Sequence, residues 1–324
     1  NRPCQVSRNR NRIEDYCILM SNTFSKLVDD ALLNIQGFTY RQDRATYLTQ
    51  SCTSSDLVLN VASTDNIGKG IIEIDGEMMW VDAFDRQANT ISIAPFGRGY
   101  NNTTAAAHSA NVKVTITPTY PRIAVKQALN DTINAVYPKV FAVGKTTATF
   151  LASRTTYQVP SEAIQVLHMA WQTVGPTKEW LPVRQWRWDP LANTSAFVPD
   201  STDPDYSRTV SVYDNILPGR TIQIVYAHLP KELTNDSDTL ETTSGLPSSM
   251  RDVIIYGAAY RLTSYIDPAR ISITSAAADE LDTKRPYGTG VNISRNLQTL
   301  YLQRLEEESL KQKLQFPVRV HYSR

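Results

Sequence analysis

The segment Ile72-Glu73-Ile74-Asp75-Gly76-Glu77-Met78-Met79-Trp80-Val81 contains the strongest short β-hairpin signal in the chain. Apolar side chains alternate on both sides of Asp75-Gly76, and an Asp-Gly pair favours the two-residue turn that joins twisted antiparallel strands. Similar alternation continues outward in three flanking segments: Leu57–Val61, Ile91–Ile93 and Val112–Ile116. About five short strands in roughly sixty residues predict a small β-barrel or meander.

Four segments with helical periodicity lie outside this β-rich region. They are Phe24–Ile35, which Gly37 ends; a helix that Pro121 opens and Pro138 stops; a segment from Pro247 to Pro268; and Arg295–Leu314. Each carries one apolar stripe. An isolated helix cannot bury such a stripe, so we expect the four helices to pack together as a bundle. In the last helix, Arg304–Glu308 and Glu307–Lys311 have the spacing of i,i+4 ion pairs.

A second β-rich region follows the second helix. The predicted strands are Thr155–Val159, Val166–Val174, Val183–Trp188 and Thr209–Tyr213. Residues 213–226 are expected to form a hairpin around Pro218-Gly219, because glycine tolerates the positive φ that such turns need. Residues 193–207 are predicted to be a long exposed loop. Two antiparallel sheets packed as a sandwich are the expected form.

These patterns predict an α+β fold: a helical bundle assembled from sequence-distant helices and interrupted by a small β-barrel or meander insert and a β-sandwich-like insert. The predicted boundaries follow the chain order. They are an N-terminal arm with the first bundle helix (1–54), the small β insert (55–117), the second bundle helix (118–144), the sandwich-like insert (145–240), the C-terminal bundle helices (241–314) and an extended tail (315–324).

The overall charge gives no argument for a nucleic-acid or membrane partner. The 324 residues include 33 Lys and Arg against 32 Asp and Glu, for a net charge of +1. A short basic arm is the exception, and its arginines are candidate DNA contacts or a solvated terminus: Arg2, Arg8, Arg10 and Arg12. Three cysteines without C-x-x-C spacing fit a reduced compartment and argue against zinc. No apolar run is long enough to span a bilayer, and no secretion signal opens the chain.

The residue types that commonly carry catalysis show no recognisable catalytic spacing in this sequence. The four histidines (His108, His168, His228 and His321) have no metal-ligand spacing, and no phosphate-binding glycine loop is present. His108 is the best catalytic candidate, yet no serine, cysteine or carboxylate pattern around it specifies a triad. Calcium in the Asp200–Asp205 loop is a minor alternative. We therefore predict no enzyme, no catalytic residues, no cofactor and no metal.

Four of the five tryptophans lie within eighteen residues: Trp171, Trp180, Trp186 and Trp188. Arg184, Trp186 and Trp188 would share one face of a strand. We favour the interpretation that these rings fill a core or a protein interface. The alternative is an exposed ladder that stacks sugar rings.

The chain ends in a short extended pattern after Pro317. Val318, Val320 and Tyr322 alternate with Arg319 and His321. A terminal strand of this kind is either frayed or adds to a sheet edge on another chain, and both interpretations stay open.

The stretch Gly97-Arg-Gly-Tyr-Asn-Asn-Thr-Thr-Ala-Ala-Ala-His-Ser-Ala-Asn-Val-Lys-Val114 resembles a segment of tailed-bacteriophage neck and tail proteins. The similarity lies in Arg98-Gly99, Ala105–His108 and the Val-x-Val strand; Asn111 stands where related segments often carry glycine. The helix from Pro247 to Tyr265 and the helix with tail from Arg295 to Arg324 match in pattern. Together they resemble tailed-phage head-to-tail adaptor proteins, also called connector or neck proteins.

The resemblance implies a structural role at the virion neck, with synthesis and assembly in the host cytoplasm. It implies a homo-oligomeric ring of twelve copies beneath the portal protein, lining the channel for genomic DNA, with a downstream tail or nozzle protein attached and no membrane contact. Portal contact is expected at the end of the last helix and in the tail: Leu305, Leu310, Leu314, Phe316, Val318, Val320 and Tyr322. Arg98, Tyr100 and His108 are contact-loop candidates.

Two other functions remain as alternatives. One is a glycan-binding tail or receptor-binding protein that uses the tryptophan cluster. The other is a virion-associated hydrolase that uses His108.

Overall fold

A computed structural model describes residues 22–38, 43–174, 177–190, 208–264 and 289–317. The chain divides into two compact units, each built from separate parts of the sequence. Of the described residues, the barrel unit comprises 25–38, 43–131, 255–264 and 289–300. Of the described residues, the sandwich unit comprises 22–24, 132–174, 177–190, 208–254 and 301–317.

The barrel unit contains one six-stranded antiparallel sheet. Its strands are β1 (Arg44–Tyr47), β2 (Val58–Asn60), β3 (Gly70–Ile74), β4 (Glu77–Asp85), β5 (Thr90–Ile93) and β6 (Lys113–Ile116), in the order β1-β6-β3-β4-β5-β2. Leu48 and Val61 form a bridge between the two edge strands, and hydrogen bonds from Thr49 N to Asn60 O (2.9 Å) and from Ala62 N to Tyr47 O (3.0 Å) flank it. These contacts close the sheet and remove its free edges.

The hairpin predicted around Asp75-Gly76 is present as β3 and β4. Asp75 and Gly76 have φ values of 48° and 87°, so both central positions take the left-handed conformation that a type I′ turn needs. Ile72, Met79 and Val81 point to the inside of the barrel, where they are buried with apolar residues of the other strands.

The sandwich unit contains two further antiparallel sheets around one core. Its strands are β7 (Ala142–Thr149), β8 (Thr156–Gln158), β9 (Ala163–Gln172), β10 (Trp180–Pro182), β11 (Trp186–Asp189), β12 (Thr209–Val212) and β13 (Thr221–His228). The sheet orders are β10-β9-β13-β7 and β11-β12-β8. Side chains from both sheets, including Tyr157, Met169 and Ile224, meet in a shared apolar core.

The hairpin predicted for residues 213–226 is wrong, because β12 and β13 belong to different sheets. Gly219 does turn the chain with φ of 83°, but its N–H donates to Phe150 O at 2.7 Å. A turn signal predicts that the chain reverses direction, but it does not predict which strand the following segment pairs with. Strands β7 and β10 also lie where no strand was predicted.

The helices are α1 (Phe24–Gln36), α2 (Arg122–Ala135), α3 (Arg251–Thr263) and α4 (Thr289–Gln315). All four predicted helical segments are therefore helical, at least in their described parts. The apolar stripe of α1 is buried as expected, with Phe24, Leu27 and Val28 nearly inaccessible to solvent. None of the described helices is long and apolar enough to cross a membrane.

The predicted fold class, a helical bundle with β inserts, is wrong. Three antiparallel sheets with thirteen strands dominate the described residues, and four long helices accompany them. Each β region encloses an apolar core of its own, so neither is an appendage of a bundle. An apolar stripe predicts that one helix face is buried, but it does not say whether a helix or a sheet covers that face.

Candidate functional site

The site is built around Glu77, the first residue of β4, whose side chain is only 1% exposed. Its carboxylate accepts a bidentate pair from Arg98, Nε to Oε1 at 2.8 Å and Nη2 to Oε2 at 3.1 Å. The backbone amides of Gly99 and Ala106 donate to the two oxygens at 3.0 Å each. His108 Nε2 lies 2.8 Å from Oε2. Five contacts thus converge on one buried carboxylate.

Arg98 extends this network to a second loop. Its Nη1 donates to Thr53 O and Asp56 O, each at 2.8 Å, and its Nη2 donates to Ala106 O at 2.6 Å. The planar guanidinium presents several fixed donors, so one side chain can bind a carboxylate and three carbonyls together. Arg98 therefore joins the loop before β2 to the loop after β5.

His108 completes the network at the end of that loop. Its Nδ1 lies 3.2 Å from Asp75 Oδ2 in the hairpin turn, and its backbone N–H and C=O pair with Cys52. The side chain is 2% exposed. We define the contact loop as residues 99–107, which Arg98 and His108 hold at its two ends.

The glycines beside Arg98 are required by space and by backbone angle. Gly99 has φ of 60°, and a Cβ there would lie 2.8 Å from Thr103 O. A Cβ at Gly97 would lie 2.7 Å from Trp80 O. Atoms cannot approach so closely without displacing the backbone, so a Gly-Arg-Gly sequence is needed at this position.

The electrostatics of the site favour the ionised carboxylate. Burial raises the pKa of the Glu77 carboxyl, but hydrogen bonds from Arg98, the two backbone amides and His108 outweigh burial and lower the pKa from 4.5 to about 2. The hydrogen bond to Glu77 likewise raises the pKa of Arg98 above its usual value. The buried charges are therefore mutually compensated.

The network holds the contact loop in one conformation. Thr103 Oγ1 accepts from Met78 N at 3.0 Å, which adds an anchor in the middle of the loop. Asn101 and Asn102 take left-handed backbone angles and are exposed, as are residues 104–107. The loop thus presents small side chains to solvent on a fixed backbone. In the described part of the chain, no group of His, Cys, Asp and Glu has the arrangement of a metal site.

The three contact-loop candidates from the sequence lie in or beside this site. Arg98 and His108 are internal members of the network, whereas Tyr100 is half-buried with its ring 5.5 Å from that of Trp80. The key residue, Glu77, was missed. Its signal was available: Glu77 alternates in phase with Met79 and Val81, so a charged residue occupies the buried face of the hairpin.

The tryptophan candidates are not brought together as one exposed ladder. Trp186 and Trp188 lie on the same face of β11 and are partly buried against the sandwich core, as is Trp171. Trp180 on β10 is 42% exposed. Arg184 is exposed and precedes β11, with its backbone N–H bonded to Asp214. The arrangement favours the core interpretation for Trp186 and Trp188.

The portal-contact candidates differ in exposure. Leu305 is buried, Leu310 is 52% exposed, and Leu314 is 83% exposed. The half-buried Phe316 packs near Phe141, with ring centroids 6.4 Å apart and the ring planes tilted by 49°. Other candidates lie outside the described residues: Val318, Val320, Tyr322, Arg2, Arg8, Arg10, Arg12 and the Asp200–Asp205 loop.

The ion pairs near the end of α4 are partly those expected. Arg304 lies 3.7 Å from Glu308, but Lys311 pairs with Glu308 at 2.6 Å, and Glu307 pairs with Arg304. Ser249 Oγ also donates to Glu308 at 2.6 Å. Burial raises the pKa of Glu308, and the bonds from Lys311 and Ser249 outweigh it, so the pKa is lowered. Glu308 thus fastens α4 to the loop before α3.

A groove of about 530 Å³ lies beside Glu308 in the sandwich unit. We call it the β7 groove. Its walls are the start of β7, the turn before α3 and the last turns of α4; the apolar lining residues are Val140, Phe141, Val143, Leu246, Pro247 and Phe316.

The family model described as SU10 adaptor protein matches residues 103–290, more than half of the chain. No curated protein matches the sequence at a significant level. The matched part begins inside the contact loop and includes His108, all of the sandwich strands and α3.

Proposed function

Because the chain belongs to the SU10 adaptor protein family, we propose that it is a structural adaptor at the head-to-tail junction of a tailed-phage virion. Copies of the chain form a ring beneath the portal protein, line the channel for the genome and present a platform to a downstream tail or nozzle protein. The family match carries this proposal. The network around Glu77 is consistent with a structural role, because its buried charged groups are paired with one another.

The ring requires a head-to-tail interface that closes by rotation, and twelve copies match the symmetry expected of a portal. The contact loop suits such an interface. Its small exposed side chains let a partner backbone approach closely, and its fixed conformation reduces the entropy lost on binding. We assign the contact loop to an interface with a neighbouring copy or with a tail component.

The end of α4 suits contact with the portal. Leu310 and Leu314 are large apolar side chains left exposed one helical turn apart, on the approach to the tail. We therefore assign portal contact to Leu310, Leu314, Phe316 and the residues after Pro317. Leu305 is only 3% exposed and is left out of this set.

The basic N-terminal arm is assigned to the DNA channel. Arg2, Arg8, Arg10 and Arg12 supply four positive charges in a chain with a net charge of only +1. Contacts of this kind would be with phosphates and independent of sequence.

Negative-stain electron microscopy of the purified protein, alone and with portal, tests the proposal. We expect closed rings of about twelve subunits, matching the portal, in at least the sample with portal. Compact trimers in both samples would contradict the adaptor role and favour a receptor-binding protein.

A further inference from the structure

Strand β7 has one free edge. It pairs with β13 in an unbroken antiparallel register from Ala142–His228 to Thr149–Thr221, and no other described strand pairs with it. Phe150, just past its end, donates to Arg220 O and accepts from Gly219 N, each at 2.7 Å, so its polar groups face β13. Alternation along the strand then turns the backbone groups of Val143, Lys145, Thr147 and Thr149 away from β13.

The first outward position of this edge already pairs with an amide. Gln312 Nε2 of α4 donates to Phe141 O at 2.7 Å, and Phe141 N donates to Gln312 Oε1 at 3.1 Å. The side-chain amide thus makes the two bonds that a residue of an adjoining strand would make. These two bonds show that the Phe141 N–H and C=O face away from β13, as the alternation along β7 requires. The unpaired edge of β7 therefore begins at the next outward residue, Val143.

The β7 groove lies along the next outward positions. Val143 and Lys145 line it together with Leu246 and Phe316. Further along, Lys145, Thr147 and Thr149 are exposed, and a single lysine is the only charge on this edge. Open edges are usually blocked by several charges, proline or a bulge, so this edge is suited to accept a strand.

We propose that the open edge of β7 binds residues 318–322 of a neighbouring copy of this chain as a fifth strand of the sheet. The segment alternates Val318, Val320 and Tyr322 with polar residues, so apolar side chains can enter the groove from one face. Five extended residues span about 17 Å, and the outward positions from Val143 to Thr149 span about 20 Å. The proposal rests on the proposed function, because it requires adjacent copies.

A neighbouring copy suits the geometry better than the same copy does. Phe316 packs near Phe141 at the start of β7, so the tail of the same copy would run along β7 in the parallel direction. Every pairing in this sheet is antiparallel. Sheets of one pairing type are over-represented, and a tail arriving from a neighbour can enter antiparallel. The added strand then becomes the new edge, which leaves its outer side free for the portal.

Disulfide trapping with two differently tagged chains tests the proposal. One chain carries Thr147→Cys and the other Val320→Cys, both in a background with Cys4→Ser and Cys17→Ser; Cys52 is kept because it is buried. Lys145→Cys and Thr149→Cys replace Thr147→Cys in parallel samples to cover the register. The chains are mixed, oxidised with and without portal, and separated under non-reducing conditions.

A covalent heterodimer of the two tagged chains is the expected result. If a single chain with both cysteines forms an internal disulfide while the mixture gives no heterodimer, the tail binds its own copy and the proposal is wrong. Absence of any cross-link across the three positions, with and without portal, also overturns it.

A proline variant gives an independent measurement. Thr147→Pro removes an outward N–H without removing a bond to β13, so the fold is retained while strand addition is blocked. When Thr149→Cys and Val320→Cys form the cross-linking pair, adding Thr147→Pro to the Thr149→Cys chain should reduce the heterodimer yield at least about tenfold. A tenfold reduction corresponds to a loss of roughly 1.4 kcal/mol of binding free energy. Thr147→Ala keeps the N–H and should cross-link normally; equal yields from both would contradict the proposal. Rings without cross-links would leave the adaptor role intact and overturn only the strand proposal. Absence of both rings and cross-links would overturn the adaptor role as well.

Discussion

At the scale of single residues, Glu77 organises the contact loop. Its carboxylate binds Arg98, His108 and two backbone amides while 1% exposed. In this chain, Gly97-Arg98-Gly99 and Ala106-x-His108 therefore supply the bonding partners of a single carboxylate. Residues 98–108 thus contain four of the groups that bind the Glu77 carboxylate: the Arg98 side chain, the Gly99 and Ala106 amides and the His108 ring.

Replacing Glu77 with glutamine should strongly destabilise the barrel unit. The change leaves the Arg98 guanidinium buried without its counter-charge, which costs about 3–5 kcal/mol. Hydrogen exchange at the Gly99 and Ala106 amides and urea unfolding measure the effect. Asp82→Asn is the control on the same strand, because Asp82 is largely exposed and its pair with Lys69 is long at 3.4 Å. Similar losses in both variants would show that Glu77 has no special role.

The stability of the protein should fall with acid in a way that depends on Glu77. Its pKa in the folded state is about 2, below the ordinary 4.5, so its contribution is complete above about pH 5 and is lost as pH falls toward about 2. A pKa shift of this size corresponds to about 3 kcal/mol of folding stability at neutral pH. Urea unfolding between pH 7 and pH 3 should show the difference between wild type and Glu77→Gln shrinking. A pH-independent difference would contradict the assignment. Burial raises the pKa of Glu73 in both proteins, so its contribution to the pH dependence cancels in this comparison.

At the scale of elements, polar contacts hold the last turns of α4 against the segment before β7 and the loop before α3. Lys139 pairs with Glu306 at 2.9 Å, Gln312 pairs with the Phe141 backbone, and Glu308 binds Ser249. These contacts fix where the helix ends and hence where the tail leaves the molecule. Phe316, the first residue after α4, therefore lies near Phe141 at the start of β7.

Removing the Gln312 amide should loosen this attachment locally. In Gln312→Ala, the Phe141 N–H and C=O lose both partners and must bond to water, at a cost of about 1 kcal/mol. The Phe141 amide should exchange with solvent about fivefold faster or more. Gln303→Ala is the control, since Gln303 is exposed on the same helix. Unchanged exchange at Phe141 would indicate that other contacts hold α4 in place.

At the scale of the whole molecule, the two units have separate β cores, and portal binding is assigned to the end of one of them. Deleting residues 318–324 leaves every residue of the two β cores in place. The truncated protein should therefore keep its circular dichroism spectrum and melting temperature.

The same truncated protein should lose binding to the portal, because the residues after Pro317 are assigned to portal contact. Co-sedimentation with portal measures this loss. Leu33→Asp serves as a control for general surface effects, since Leu33 is 70% exposed on α1 and is assigned no contact. Undiminished portal binding by the truncated protein would contradict the assignment of the tail.

The sequence by itself determined the local elements. Alternation around Asp75-Gly76 specified a hairpin, and 3.6-residue periodicity specified all four helices, because the period of apolar side chains reflects backbone geometry directly. The absence of a recognisable catalytic pattern also came from residue types and spacings alone.

Only the tertiary structure decided which elements meet. It placed β12 and β13 in different sheets, made sheets rather than a helical bundle the main architecture, and brought Glu77 to Arg98 and His108. Local periodicity records that a face is buried but not what covers it, and a hydrogen-bond partner thirty residues away leaves no periodic signal. The contact loop was therefore recognisable as a sequence, while the carboxylate that holds it emerged only from the closed barrel.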